Sequence, residues 1–212
     1  MAESNEKLIR ELIGGGYLKS KNLIDAFRKI DRKDFVPREL WIEAYGNYPL
    51  PIGFGQTISQ PLTVAFMLEL LAPKAGEKIL DIGAGSGWTS ALLAEVVGAE
   101  GKVVAVERIP ELKKMTEENI QKYGFVKEGR VEVFLGDGSN PSMLLRAGWE
   151  FGKIIAAAAA EEIPEVWKKQ LKVGGRIVAP VGSSIWALDK VSEEEFRTKE
   201  YFGFSFVPLI RD

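Results

Sequence analysis

The spacing of apolar positions separates an N-terminal part from a longer part in which strands and helices alternate. Apolar pairs at 8–9 and 12–13 recur at helical spacing and predict an amphipathic helix, which the glycines at 14–16 end. A second helix is predicted over 22–30, and residues 34–45 fit either a third helix or a loop. The stretch 48–60 contains two prolines and two glycines, so it predicts irregular backbone of a length that is often functional.

From residue 61 onward the predicted elements alternate in type. A helix is expected over 61–71, ending before Pro73. Further helices are predicted at 88–97, 110–123 and 163–171, and strands at 78–82, 102–106, 130–135, 153–157 and 175–181. The alanine run 156–160 also fits a helix by propensity. Alternating strands and helices predict an open, mostly parallel α/β sheet with helices on both faces. Residues 184–209 predict additional strands, which we expect as a hairpin at the sheet edge.

The amino-acid composition excludes several kinds of chemistry. The chain of 212 residues has neither histidine nor cysteine, so a Ser-His-Asp triad and a Cys-His pair are excluded. A metal could bind only through carboxylates and carbonyls, which favours magnesium or calcium over zinc, and we expect no metal. Its 28 basic and 30 acidic residues give a net charge of −2, which disfavours nucleic acid as a partner. A charged beginning and apolar runs far below the ~20 residues of a membrane span predict a soluble, cytoplasmic protein.

A glycine-rich turn is the first candidate binding motif. Gly83, Gly85 and Gly87 follow the strand that contains Asp81 and open the next helix. Glycines at such a turn let the backbone approach a ligand closely, although a tight turn without a ligand would look the same. A dinucleotide fingerprint needs a third glycine where Trp88 stands, so a nicotinamide oxidoreductase is disfavoured.

Two carboxylates stand at the ends of the next two predicted strands. Glu107 lies about 20 residues after the glycine turn, where an acidic residue commonly binds ribose hydroxyls. Asp137, between two glycines, could accept a hydrogen bond from an adenine amino group, or it could belong to an ordinary Asp-Gly turn. Parallel strands bring their carboxyl ends to one edge of a sheet, so these motifs predict one common ligand site. The arrangement resembles the Rossmann-like class I S-adenosylmethionine-dependent methyltransferases.

A longer likeness concerns the segment that would bind the methyl acceptor. The sequence YPLPIGFGQTISQP at 48–61 resembles the signature loop of the protein-L-isoaspartate O-methyltransferases, and the likeness continues through LDIGAGSGWTSALLA, GDG and FVPL. The resemblance implies S-adenosylmethionine-dependent methylation of the free α-carboxylate of isoaspartyl residues in damaged proteins and peptides, with S-adenosylhomocysteine as product. It divides one compact domain into residues 1–60, which carry the acceptor loop, and the cofactor-binding core 61–212.

The resemblance also assigns residues to the site. It implies Ser59 as the active residue and predicts substrate contacts at Thr57, Ser59, Val207 and Pro208. Together with the strand-end motifs it predicts cofactor contacts at Ile58, Gln60, Asp81, Gly83, Ala84, Gly85, Gly87, Glu107, Arg108, Asp137 and Gly138. Because an α-carboxylate with a pKa of roughly 3.3–3.7 is already ionised at neutral pH, this reaction needs alignment rather than a histidine base.

Some positions depart from the family pattern. Ala157 stands where a threonine is usual, Ser205 where relatives often have a larger side chain, and Gly152-Lys153 where the family has an aspartate. These departures leave two alternatives open, a methyltransferase with a different acceptor and a weakly catalytic S-adenosylmethionine-binding protein. We expect the protein to be a monomer.

Overall fold

The N-terminal part folds as two helices and two short 3₁₀ turns. The computed structural model describes residues 4–140 and 148–210. Helix α1 (Asn5–Gly14) and helix α2 (Lys21–Lys29) precede 3₁₀ turns at Arg32–Phe35 and Arg38–Glu43. Residues 34–45 therefore form turns and no α-helix. The reason is Pro37, which disfavours helical backbone at the residue before it.

The stretch predicted to be irregular contains a small β-hairpin, so that prediction was wrong for part of it. Strand β1 (Leu50–Gly53) pairs antiparallel with β2 (Gln56–Ile58). The turn between them has three successive residues with positive φ, namely Gly53 at 92°, Phe54 at 52° and Gly55 at 70°. Glycine adopts this region without strain, so the two glycines that suggested irregular backbone instead make the hairpin turn.

A seven-stranded sheet forms the centre of the molecule. Its strands are β3 (Lys78–Ile82), β4 (Lys102–Glu107), β5 (Val131–Leu135), β6 (Phe151–Ala156), β7 (Leu171–Val181), β8 (Ser184–Lys190) and β9 (Phe196–Phe202). Their order across the sheet is β5-β4-β3-β6-β7-β8-β9. The first five strands of this order are parallel, and β8 and β9 are antiparallel additions at one edge. The predicted sheet type and the C-terminal hairpin are confirmed.

The strand boundaries differ in detail from the sequence-based expectation. Strand β7 begins at Leu171, four residues before its predicted start, and its pairing with β6 shifts register between Phe151 and Lys153. The alanine run is not helical, because β6 ends at Ala156 and the next residues form isolated bridges to Val181 and Pro208.

Helices cover both faces of the sheet, as the alternation of strand residues requires. The remaining helices are α3 (Pro61–Leu71), α4 (Trp88–Val97), α5 (Pro110–Gln121) and α6 (Glu165–Gln170). Ile79 and Val103 point into a core shared with helices α1 to α5. Leu80 and Val104, one position further along each strand, pack on the other face with Trp167 of α6. The described helices include none that is long and apolar enough to cross a membrane.

The strand order places a ligand site at a definite position. The chain passes from β3 to β4 and β5 on one side, then crosses back to β6 on the other side of β3. In open α/β sheets such a reversal leaves a crevice at the carboxyl ends of the two central strands. The helices of residues 1–60 share the core on one face, and the division of the chain at residue 60 stays a prediction.

A buried tryptophan on the second face provides a stability test. Trp167 is fully buried, and its indole N–H donates to the carbonyl of Gly138 at 2.8 Å. We expect Trp167→Phe to lower the free energy of unfolding by about 2–4 kcal/mol. The substitution removes the hydrogen-bond partner of the Gly138 carbonyl and creates a small cavity.

Trp186→Phe is the matched control for this substitution. The buried indole nitrogen of Trp186 has no hydrogen-bond partner among the described residues. Its removal is therefore expected to change the free energy of unfolding by less than about 1 kcal/mol. Urea unfolding of both variants measures the difference. An equal loss of stability in the two variants would contradict the assigned hydrogen bond.

Candidate active site

A cavity of about 390 Å³ opens at the carboxyl ends of the central strands. This volume lies within the range of small-molecule binding sites. The glycine turn after β3 and the end of β4 form one wall. Strand β2 and the residues after it form a second wall, and the segment 205–210 forms a third. The cavity thus lies at the position that the strand order favours.

The glycine turn is fixed by hydrogen bonds to the neighbouring strand. Gly83, Gly85 and Gly87 all have positive φ, at 78°, 57° and 87°. The backbone N–H of Gly83 donates to the carbonyl of Val106 at 2.8 Å. A Cβ at Gly87 would lie 3.1 Å from Ile120, so both space and backbone conformation require glycine there. The turn is therefore tight, and its backbone faces the cavity at Gly83 and Gly85.

Glu107 connects the turn to the end of β4. The side chain is 5% exposed and lines the cavity. One carboxylate oxygen accepts from the backbone N–H of Gly85 and the other from that of Ile109, each at 2.9 Å. A carboxylate has about four lone-pair positions, so Glu107 can still accept from two hydroxyl groups of a ligand.

Two side chains of α5 support the turn from behind. The hydroxyl of Thr116 donates to the carbonyl of Gly85 at 2.8 Å, and the amide of Asn119 donates to that of Ser86 at 2.9 Å. The sequence analysis missed both residues. The sequence feature that could have indicated them is a pair of polar positions, three residues apart, on the buried face of a predicted helix next to the apolar Ile120.

Asp81 lies beneath the glycine turn and is fully buried. One of its oxygens accepts from the hydroxyl of Ser90 at 2.5 Å, and the other has no partner among the described residues. The pKa of Asp81 is raised to about 6, mainly by burial; the Ser90 hydrogen bond opposes this rise and the negative charge of Glu107 adds to it. Asp81 lines a second, small chamber together with Ser59 and Thr89.

The residues of the hairpin segment that were predicted to bind substrate (Thr57, Ser59) or cofactor (Ile58, Gln60) lie on the opposite wall or beside it. Thr57, Ser59 and Gln60 line the cavity, whereas Ile58 points into the core and is 3% exposed. The amide of Gln60 donates to the carbonyl of Asn47 at 2.8 Å, which ties the segment after the hairpin to the segment before it. The hairpin therefore presents its outer edge to the cavity.

The third wall is held by pairing with the residues after β6. The N–H of Ala159 donates to the carbonyl of Val207 at 2.8 Å, and the N–H of Leu209 donates back to Ala159 at 2.7 Å. This pairing places Val207 and Pro208 against the cavity. Two positions that depart from the family pattern, Ala157 and Ser205, also line it.

Most predicted site residues meet around this one cavity. They are Thr57, Ser59, Gln60, Gly83, Gly85, Glu107, Arg108, Gly138, Val207 and Pro208. Ala84 and Gly87 belong to the turn but do not line the cavity, and neither does Asp81 of β3 beneath the turn. Asp137 does not line the cavity, and its carboxylate accepts from the N–H and the hydroxyl of Ser139, both at 2.7 Å. Residues 4–140 and 148–210 contain no cluster of three carboxylates that could hold a metal ion.

Comparison with known proteins assigns the family. The family model for protein-L-isoaspartate(D-aspartate) O-methyltransferase matches residues 3–212. The chain belongs to this family. The protein-L-isoaspartate O-methyltransferase of Ignicoccus hospitalis is 43% identical, with 100% of each chain covered. That of Methanopyrus kandleri is 40% identical, and the alignment covers 98% of this chain and 91% of the relative.

A solved structure shows that the fold is shared with the family. It is a protein-L-isoaspartate O-methyltransferase of Plasmodium falciparum in complex with S-adenosyl-L-homocysteine, and it superposes with a TM-score of 0.89 at 21% identity. The superposition covers 98% of this chain and 99% of that chain. The resemblance inferred from the sequence 48–61 and from the strand-end motifs is confirmed at the level of family and fold.

The buried carboxylate of Asp81 predicts a pH-dependent change in stability. Its pKa rises from 3.8 in the unfolded chain to about 6 in the folded protein, so folding becomes less favourable as pH rises through this range. Asparagine keeps an oxygen for Ser90 but carries no charge. We expect Asp81→Asn to raise the free energy of unfolding by about 2–3 kcal/mol at pH 7.5 relative to wild type, and by close to nothing at pH 4.

Urea unfolding at the two pH values measures this difference. Asp25→Asn serves as the control, because Asp25 is half-exposed, pairs with Lys21 and is expected to contribute less than about 1 kcal/mol to the free energy of unfolding. A gain for Asp81→Asn that is the same at both pH values would contradict the assignment of an ionised, buried Asp81.

Proposed function

We propose that this protein methylates the free α-carboxylate of L-isoaspartyl residues in proteins and peptides, with S-adenosylmethionine as the methyl donor. The observation that supports this most directly is one cavity that has Glu107 and the glycine turn on one wall and Ser59 on the other. Family membership and the names of full-length relatives about 40% identical support the same reaction.

The wall formed by the turn fits the methyl donor. S-adenosylmethionine carries a ribose diol, an ammonium group and a cationic sulfonium. Glu107 retains acceptor positions for the diol, and the unpartnered oxygen of Asp81 is an acceptor beneath the turn for a cationic donor. We propose that Gly83 and Gly85 allow close contact, and that Arg108 and Gly138 border the same ligand.

The opposite wall fits the methyl acceptor. We propose that Ser59 donates its hydroxyl hydrogen to one oxygen of the isoaspartyl α-carboxylate, while the other oxygen points toward the donor. Thr57 lies beside it on the hairpin, and Val207 and Pro208 border the acceptor on the third wall. A peptide backbone carrying the isoaspartyl residue would then lie between the hairpin and the segment 205–210.

The chemistry requires alignment and charge placement, and the chain supplies both. Bound S-adenosylmethionine supplies an electrophilic methyl group. The carboxylate oxygen forms a bond to this methyl, and the pair of electrons of the broken carbon–sulfur bond stays on sulfur. The acceptor is already ionised at neutral pH, so no base is needed. Holding two reactants in line can lower the barrier by about 7–11 kcal/mol, which is the contribution we assign to the two walls.

We also propose how the protein works in the cell. The acceptor loop lies in residues 1–60, and residues 61–212 form the cofactor-binding core together with the C-terminal segment that borders the acceptor. A net charge of −2 and the absence of cysteine are consistent with a cytoplasmic monomer that acts on proteins and peptides and does not bind nucleic acid.

Two peptides that differ only in one linkage test the reaction. Methyl transfer is expected to an isoaspartyl peptide and not to its normal aspartyl isomer. Binding of the cofactor without transfer to either peptide would contradict the proposed function and favour a binding protein. Transfer to an unrelated carboxylate alone would favour a methyltransferase with a different acceptor.

Glu107 is predicted to contribute mainly to cofactor affinity. Glu107→Gln removes the charge and one acceptor, so we expect the dissociation constant for S-adenosylhomocysteine to rise by about 10- to 150-fold, corresponding to about 1.5–3 kcal/mol. Isothermal calorimetry measures this constant. Glu132→Gln is the control, because Glu132 pairs with Lys102 away from the cavity and its change should leave the affinity unaltered. An unaltered affinity in Glu107→Gln would remove Glu107 from the cofactor site.

Ser59 is predicted to contribute mainly to turnover. Ser59→Ala removes one hydrogen bond to a charged group, about 1.5–3 kcal/mol, so kcat for the isoaspartyl peptide is expected to fall by about 10- to 150-fold. Cofactor affinity should stay within about threefold, because the carboxylate belongs to the other substrate. Ser192→Ala, in an exposed turn, is the control. Near-normal turnover of a folded Ser59→Ala protein would disprove the assigned role.

A further inference from the structure

A buried arginine lies behind the acceptor hairpin, outside the cavity. Arg32, in the first 3₁₀ turn, is 0% exposed. In the described parts of the chain it forms no ion pair with a carboxylate. Burial lowers its pKa to about 10, which still leaves the guanidinium charged at neutral pH. A buried charge without a counter-ion is unfavourable unless polar groups surround it.

Four backbone carbonyls surround this charge. One terminal nitrogen of Arg32 donates to Ala44 at 2.8 Å and to Gly46 at 3.1 Å. The other terminal nitrogen donates to Tyr48 at 3.0 Å and to Ser59 at 3.2 Å. All four N–H groups of the two terminal nitrogens therefore bind carbonyls of the acceptor segment.

The last two contacts close the base of the hairpin. Leu50 and Ile58 are the outermost paired residues of β1 and β2, and Tyr48 and Ser59 lie just beyond them. A single nitrogen of Arg32 thus joins the segments that enter and leave the hairpin. This contact therefore holds the backbone carbonyl of the residue whose side chain lines the cavity.

Arg32 also connects the hairpin with the cavity wall that the glycine turn and the end of β4 form, which is called the cofactor wall. Its guanidinium carbon lies 5.4 Å from the ring centroid of Trp88, the first residue of α4 after the glycine turn. A guanidinium stacks on an indole more favourably than an ammonium does. One side chain thus contacts both the element that carries Ser59 and the helix that follows the glycine turn.

We propose that Arg32 is the positioning residue for Ser59, holding its backbone at the distance from the cofactor wall that methyl transfer requires. This inference rests on the proposed role of Ser59 in carboxyl methylation. Arg32 itself touches neither substrate, because it lies behind the hairpin and not in the cavity. A displacement of about 1 Å between reacting groups can lower a rate by about 100-fold.

The conservative variant Arg32→Lys separates positioning from charge. Lysine keeps the positive charge but has one ammonium group and no planar fork, so it cannot bind the four carbonyls in the same arrangement. We expect kcat for the isoaspartyl peptide to fall by about 10- to 100-fold, while the dissociation constant for S-adenosylhomocysteine changes by less than about threefold.

Arg176→Lys is the matched control. Arg176 binds both oxygens of Asp189, at 2.6 and 2.8 Å, and the carbonyl of Leu70 at 2.7 Å, near the amino ends of the parallel strands. The variant Arg176→Lys is expected to have a lower melting temperature, while its kcat stays within about twofold of wild type. Loss of kcat in both lysine variants in proportion to their loss of stability would overturn the proposal.

Combining Arg32→Lys with Ser59→Ala gives the decisive measurement. If Arg32 acts through Ser59, adding Arg32→Lys to Ser59→Ala changes kcat by less than about threefold, because the group being positioned is already absent. Fully multiplicative losses would overturn the proposal.

The outcomes also separate this inference from the function on which it rests. An inactive wild-type protein, or normal turnover in Ser59→Ala, would refute the proposed function or the role of Ser59. The expected loss in Ser59→Ala with normal turnover in Arg32→Lys would refute only the role of Arg32. If neither Arg32→Lys nor Arg32→Gln gives a folded protein by circular dichroism, Arg32 serves the fold itself and the proposal is overturned.

Discussion

The glycine turn after β3 has no functional side chains of its own, so its shape depends on hydrogen bonds that other elements supply. The carboxylate of Glu107 fixes one backbone N–H, and Thr116 and Asn119 fix two carbonyls. Because Glu107 also faces the cavity, one side chain sets both the shape of the turn and the charge presented beside it. A substitution at the end of β4 or in α5 would therefore alter the shape of the cavity wall by altering the turn.

Two buried charges on either side of the cavity are accommodated in different ways. Arg32 has a carbonyl for each N–H of its two terminal nitrogens, although its Nε has no partner among the described residues, and its charge persists because backbone dipoles replace water. Asp81 has one hydrogen bond and one unpartnered oxygen among the described residues, so its charge is disfavoured in the folded protein. An incompletely satisfied group of this kind is typical of a binding site, because a ligand can supply the missing partner.

The parts of the site that could be predicted from sequence are those that follow from strand periodicity. Glu107 and the glycines are found because parallel strands end at one edge, so local pattern and position suffice. Arg32 could not be found in this way, since its acceptors are backbone carbonyls that any residue would provide. The hairpin was likewise missed, because Gly53 and Gly55 favour a turn and a loop equally until the pairing of Leu50 with Ile58 is known.

The turn at Asp137 has a consequence for the chemical durability of the chain. Asp137-Gly138 is the only Asp-Gly pair in the sequence, and a following glycine leaves its peptide nitrogen unhindered for attack on the aspartyl side chain. Such an attack, which begins the rearrangement to isoaspartate, requires the side chain to rotate. Both oxygens of Asp137 are bound by Ser139, and the carbonyl of Gly138 is bound by the indole of Trp167. The turn therefore restrains, within the protein itself, the kind of ageing that its proposed activity reverses in others.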